Sequence, residues 1–309
     1  MFFFRYLYVF FFCLAVSGCG GASDQSNSNN SNVVDNRPIV LSFGSSTFEY
    51  MNKDLETNLK DLGYNYISDS IGGQIIETMQ AHEGSNPIRI SFNETNLQLG
   101  NTYNINWNQE FNIGHLKANG KFNVTLENGL KGELDLNRNL FKVDNNNTTT
   151  LLNIKNNSLL VDFNYSNYIK NSIVVINIGK NNLSNRYSAE QILNGIKMMT
   201  DYLEKNKNYN YIVVGFFVDT DGNNKEQIIK TNNLLSQQYG NKFFNLEDYI
   251  SSQSIWADVN IRPNNQDLES QENKNLPVSL SRNNGHLNNI AGKALSIKIA
   301  KKISALYTK

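Results

Sequence analysis

Cysteine is nearly absent: the 309-residue chain has two, Cys13 and Cys19, and both lie near its start. No pair remains to staple the rest of the chain, so the folded part must stand on an apolar core. Net charge is missing too, with 28 basic against 28 acidic side chains and no long basic run. That excludes the electrostatic footprint of a nucleic-acid-binding surface, and no nucleic acid partner is expected. Long apolar runs are also wanting, because the stretch from Tyr6 to Val16 is too short to span a bilayer. Histidine is scarce, with three copies. Of these, His82 and His115 stand far apart with no second ligand at metal spacing, so they are expected as surface or turn residues. Neither a metal nor a cofactor is implied.

The N-terminus carries more. Arg5 precedes the short apolar run, and Ser17 and Gly18 follow it, the pattern of a secretory signal over residues 1–18. Val16-Ser17-Gly18-Cys19 resembles the bacterial lipobox. That resemblance implies acylation of Cys19 after cleavage, a membrane anchor through the N-terminal lipid, and a place in the bacterial cell envelope. If the host has two membranes, Gly20 after the lipidated cysteine resembles an outer-membrane signal. From Gly20 the chain is rich in Gly, Ser and Asn and poor in apolar residues, so residues 19–36 are expected to form a flexible tether.

Residues 37–309 read as one α/β domain. Ile39, Val40 and Leu41 belong to a first strand, and Phe48, Leu55, Leu59 and Leu62 recur at helical spacing until Gly63. Tyr64 to Ser68 is a second strand, and a helix carrying Ile75, Ile76 and Met79 follows Ile71-Gly72-Gly73-Gln74. From about residue 88 to 145 the period changes to alternation, with Asn128-Gly129 as a hairpin signal, which predicts a small antiparallel β insertion. Asn145 to Thr149 is a polar break. The α/β pattern resumes with a Val/Ile strand over Ser172 to Ile178 and a helix over Ser188 to Lys205 that opens on a Ser188/Gln191 capping box. Tyr211 to Val218, Lys225 to Tyr239 and Phe243-Phe244 then give strand, helix and strand. A last helix over Asn289 to Tyr307 turns Ala291, Leu295, Ile299, Ile303 and Leu306 inward. Strands alternating with helices predict a parallel sheet covered on both faces.

In such a sheet the carboxyl ends of the strands share one edge. The first strand stops at Gly44-Ser45-Ser46, so Ser46, Gly73 and the segment Gly179-Lys180-Asn181-Asn182 should converge there. A serine in a crevice can act as a nucleophile, and an asparagine amide with backbone N–H groups can hold the oxygen of a tetrahedral intermediate. The serine needs a base. His286, just before the last helix, is the histidine placed to return to that edge.

These stretches resemble the four blocks of the SGNH hydrolases of the GDSL type, matched in order by Gly44-Ser45-Ser46, Ile71-Gly72-Gly73-Gln74, Gly179-Lys180-Asn181-Asn182 and the run from Ser279 to Asn288. The resemblance covers the chain from about Pro38 onward and leaves the β insertion outside. It implies a three-layer α/β/α, flavodoxin-like SGNH hydrolase fold. It further implies a serine esterase or acyl hydrolase with Ser46 as nucleophile and His286 as general base. The Ser46 and Gly73 N–H groups and the Asn181 amide would be the oxyanion donors. An ester-bearing small molecule, glycan or lipid would be the substrate, with an acetyl ester or an acyl transfer among the options.

The chain departs from the family at two places. Ser45 stands where the family usually has aspartate, which removes a structural hydrogen bond in the nucleophile turn. Asn283 stands where the family's acid lies, three residues before the histidine. In serine proteases the same Asp→Asn change costs roughly ten-thousandfold in kcat, because the imidazole is held in the wrong tautomer. Either a backbone carbonyl orients His286, or a carboxylate from the preceding loop (Asp258, Asp267, Glu269 or Glu272) substitutes. Otherwise the domain is catalytically degenerate and serves as a glycan- or protein-binding module, with the β insertion as its contact surface. The other polar clusters have simpler readings: Trp107 as local core, and Asp219, Asp221, Gly222 and Asn223 as an Asx-rich turn.

Overall fold

The computed structural model describes residues 35–107, 120–147, 152–154, 158–184 and 186–307. The expected signal, Cys13, Cys19, most of the tether, His115 and Thr149 lie outside the described residues.

From residue 37 the chain runs β1 (Ile39–Gly44), α1 (Ser46–Asp61), β2 (Asn65–Ser70) and α2 (Ile76–Glu83). It then leaves the α/β core for β3 (Arg89–Phe92), β4 (Asn96–Leu97), β5 (Thr102–Trp107), β6 (Lys121–Leu126), β7 (Lys131–Asp135), β8 (Leu140–Val143), β9 (Leu152–Asn153) and β10 (Leu159–Asp162). The core resumes with α3 (Ser166–Ile169), β11 (Ser172–Asn177), α4 (Lys180–Ser184), α5 (Ala189–Lys205), β12 (Tyr211–Val214), α6 (Lys225–Tyr239) and β13 (Phe243–Phe244). It ends with α7 (Leu246–Ile250), α8 (Ser254–Val259), α9 (Asn265–Glu272), β14 (Ser281–Asn283), β15 (His286–Leu287) and α10 (Asn289–Tyr307).

Five strands form the parallel sheet in the order β13-β12-β11-β1-β2. In core terms that is 2-1-3-4-5, the flavodoxin-like doubly wound order. The central strands β1, β11 and β12 are buried on both faces, since successive side chains point to opposite layers and helices cover both. Val40 on β1 and Val175 on β11 pack with α1 and α10 through Phe48, Leu55, Leu295 and Ile299. Leu41, Phe43, Val174 and Ile176 face the other way, onto α2, α5 and α6 through Met79, Ile192, Ile196 and Leu235. The Ser188/Gln191 capping box is formed, each side chain bonding the other residue's backbone N–H. Leu62 does not join the core as its spacing predicted; it caps α1 and is exposed, since the helix ends one residue earlier.

The β insertion is larger than the sequence pattern predicted. β3, β5, β6, β7, β8 and β10 close into an antiparallel barrel, with β10 bridging β3 and β6. Its interior is filled by Ile90, Phe92, Val124, Leu134, Phe141 and Val161. Closure removes the free edges that an open insertion of this size would expose. The barrel is packed against the core through His82, which is not the surface or turn residue expected. It is a buried member of α2, 2.7 Å from Asp69 on β2 through Nδ1, with its ring stacked on Phe163 and edged by Phe122.

Candidate active site

The doubly wound order reverses between β1 and β11, and it is at the carboxyl ends of such strands that open α/β sheets bind ligands. Ser46 lies there as the first residue of α1. Ser45 precedes it in extended conformation at the helix N-cap, and its side chain makes no capping bond. Gly44 is required at this turn: a Cβ there would stand 2.9 Å from Ser70 Oγ and 3.0 Å from Phe48 Cβ. The tight packing directs the half-buried Ser46 side chain outward.

Its partner comes from the far end of the chain. His286 begins β15 in the short β14–β15 hairpin that leads into α10, and its Nε2 is 3.0 Å from Ser46 Oγ. The other ring nitrogen, Nδ1, is 2.8 Å from Asn283 Oδ1. That oxygen also accepts the Gly285 backbone N–H at 3.2 Å. A backbone N–H can only donate, so the Gly285 contact requires the amide oxygen, not its NH2, to face the ring. His286 must then carry its proton on Nδ1, and Nε2 is left to accept from the Ser46 hydroxyl. This tautomer is the one a general base needs. The sequence placed Asn283 as a missing acid; the geometry makes it the residue that orients the imidazole.

The four stretches predicted to converge do meet. Gly73 lies in the turn between β2 and α2 at φ +80°, a left-handed conformation suited to glycine. Among the described residues its N–H has no backbone acceptor. Asn181, on α4 just past β11, donates one amide hydrogen to the Gln74 carbonyl at 2.7 Å, which fixes the side chain and leaves the second hydrogen free. Asn182 locks the same two segments together: its Oδ1 accepts the Ile76 N–H at 3.0 Å and its Nδ2 donates to Glu77 at 2.9 Å. On the other flank Glu49, one turn along α1 from Ser46, accepts the Gly72 N–H at 2.9 Å.

None of the carboxylates considered as substitutes reaches His286. Asp267 is fully buried and caps its own helix, also accepting from Ser279, while Asp258 pairs with Lys298. Glu269 and Glu272 are exposed on α9. The carboxylate that lies close is Asp219, which pairs with Lys180 at 2.6 Å. Lys180 Nζ is also 3.4 Å from the Gly285 carbonyl and 3.6 Å from the centre of the Phe217 ring. Asp219, Glu49 and Tyr50 carried no spacing signal as site neighbours, and Lys180 was expected there only as part of the converging segment 179–182. The turn after Phe217 is Asx-rich as expected, with Asp221 accepting from Asn223 and from Asn284 of the hairpin. Trp107 packs at the barrel core and donates to Asn139. Among the described residues no group of three His, Cys, Asp or Glu side chains is arranged to hold a metal ion.

Burial, and then the Lys180 charge, push the His286 pKa below its ordinary 6.5. The imidazole is therefore neutral at pH 7, as a base must be. Any hydrolysis that uses it should be flat in kcat/KM above neutrality and fall as pH drops through that depressed value, where protonation occupies Nε2. The acid-limb midpoint is expected below 6.5, and Lys180→Met is expected to move it upward by removing a repelling cation and freeing Asp219. A midpoint above 6.5 in the parent, or a downward shift in the variant, would contradict this electrostatic account.

No family model and no curated protein matches the chain. Among solved structures, one from Parabacteroides merdae ATCC 43184, described as a candidate GDSL-like lipase, is similar over 88% of this chain and 97% of its own at 10% identity and a TM-score of 0.41. This chain's own strand order makes it a mixed α/β architecture with a five-stranded parallel sheet and an inserted antiparallel barrel.

Proposed function

We propose that this chain is a serine esterase of the GDSL-like hydrolase type. The reading is carried by one observation: an unbroken hydrogen-bond relay from Ser46 through His286 to Asn283, with Asn283 itself fixed by the Gly285 N–H. Ser46 Oγ attacks the ester carbonyl while Nε2 takes its proton. The oxyanion is received by the Ser46 and Gly73 N–H groups and the free hydrogen of the Asn181 amide. Collapse passes the proton to the departing alcohol, and water repeats the sequence to release the acid. An acyl chain on Cys19 would hold this chemistry at a membrane of the cell envelope, where acylated glycans and lipids are the esters at hand. The rival reading, a degenerate domain that only binds, drew on the missing charge at position 283, and the oriented imidazole weakens it.

Release of acid from small acyl esters such as p-nitrophenyl acetate is the direct test. Asn181→Ala is expected to lower kcat by about a hundredfold or more with little change in KM, the usual scale for one oxyanion donor. Unchanged kcat in that variant would remove the oxyanion assignment.

A further inference from the structure

The groups around His286 lie where the alcohol half of an ester would leave. In acylation Ser46 Oγ first bonds the carbonyl carbon, and on collapse of the oxyanion the bond from that carbon to the alcohol oxygen breaks while the Ser46 proton, carried on Nε2, passes to that oxygen. The alcohol half must therefore lie on the His286 side, away from Gly73 and Asn181. On that side Tyr50, nearly half exposed, sets its ring edge-on to the imidazole with centroids 5.1 Å apart. Arg282 places its guanidinium over the Tyr50 ring, 4.8 Å from the ring centroid. An open groove of about 470 Å³ continues from Arg282 past Asn289 and the exposed Ile290.

The charges here are not equivalent. Lys180 is neutralised by Asp219, and Glu49 is held by the Gly72 N–H. Arg282 is exposed, and among the described residues no carboxylate pairs with it. A guanidinium presents a rigid fork of N–H donors that fits carboxylate and phosphate oxygens, and stacking on Tyr50 holds that fork beside the base at low entropic cost.

We propose that Arg282 and Tyr50 form an anion subsite for the leaving alcohol, so that the preferred substrates are O-acyl esters of alcohols bearing a carboxylate or phosphate. Tyr50 offers a ring face to the alcohol's carbon skeleton, and Arg282 takes its anion. This inference deepens the esterase reading and rests on it for the placement of the two halves.

The test compares three acetyl esters: an O-acetylated uronic acid, its neutral methyl ester, and O-acetyl glycerol phosphate. The parent is expected to prefer one or both anionic esters over the neutral one by about tenfold in kcat/KM, the scale of one charge-assisted contact at an exposed site. Preference for the uronate identifies an acidic glycan as the source of the anion, and preference for the phosphate a phosphorylated alcohol. Arg282→Ala should erase the preference and Arg282→Lys should keep part of it. No preference in the parent, or one that survives Arg282→Ala, overturns the subsite. A second readout keeps this separate from catalysis: the same three compounds titrated calorimetrically into Ser46→Ala protein. A tighter Kd for an anionic ester that Arg282→Ala abolishes would support the subsite even if no acetate were released. Equal Kd values for all three would overturn it even if every ester were cleaved.

Discussion

Replacing Ser46 with alanine is expected to lower ester turnover by about five orders of magnitude, leaving only what ester binding and the oxyanion donors supply. The size comes from the loss of covalent catalysis: no other hydroxyl lies within hydrogen-bond reach of His286 Nε2 among the described residues. His286→Ala should cost nearly as much, and the double variant hardly more, because nucleophile and base act as one unit. Neither change should unfold the protein, since Ser46 and His286 are both only half-buried. Acetate release, read beside thermal unfolding of each variant, separates chemistry from stability. Substantial turnover by well-folded Ser46→Ala protein would place the chemistry elsewhere.

Asn283 gives the second large effect, and here two substitutions should move in opposite directions. Asn283→Ala removes the oxygen that holds Nδ1–H and lets the imidazole rotate and change tautomer. A loss of about a hundredfold to ten-thousandfold in kcat is expected, bounded above by the cost of a wrongly held histidine in serine proteases. Asn283→Asp keeps both hydrogen bonds and adds a negative charge beside the imidazolium that forms during attack. A gain of about tenfold is expected, the scale of the Coulomb energy of a unit charge at that distance in a high dielectric. The added charge should also raise the His286 pKa and carry the acid limb of the pH profile upward. Unaltered kcat in Asn283→Ala would show that the Gly285 and Asn283 contacts do not orient the base.

Much of this was legible in the sequence. The unbroken Val/Ile run within Ser172 to Ile178 and the periodic inward stripe of α10 dictate the packing of the doubly wound sheet. The convergence of Ser46, Gly73, Asn181 and His286 comes with it, because a parallel sheet gathers its strand ends on one edge. The barrel's closure was not legible. β10 is four residues long and stands behind the polar stretch that begins at Asn145, where alternation gives too few positions to count. Nor could the state of Asn283 be read: the residue type removes a charge, but only the Gly285 N–H decides which end of the amide meets the ring. His82 misled for a related reason, since its partner Asp69 is brought close by the β2–α2 turn and not by spacing along a helix.

On the esterase reading, Ser46 is activated by a histidine which an asparagine holds in the working tautomer. Fluorophosphonate labelling of the full chain in detergent, with the adduct located by mass spectrometry, tests it most directly, because the probe reports an activated serine without needing the substrate. A stable adduct on Ser46 is expected, lost in His286→Ala and slowed in Asn283→Ala. Well-folded protein that takes up no label, or takes it up equally without His286, would contradict it.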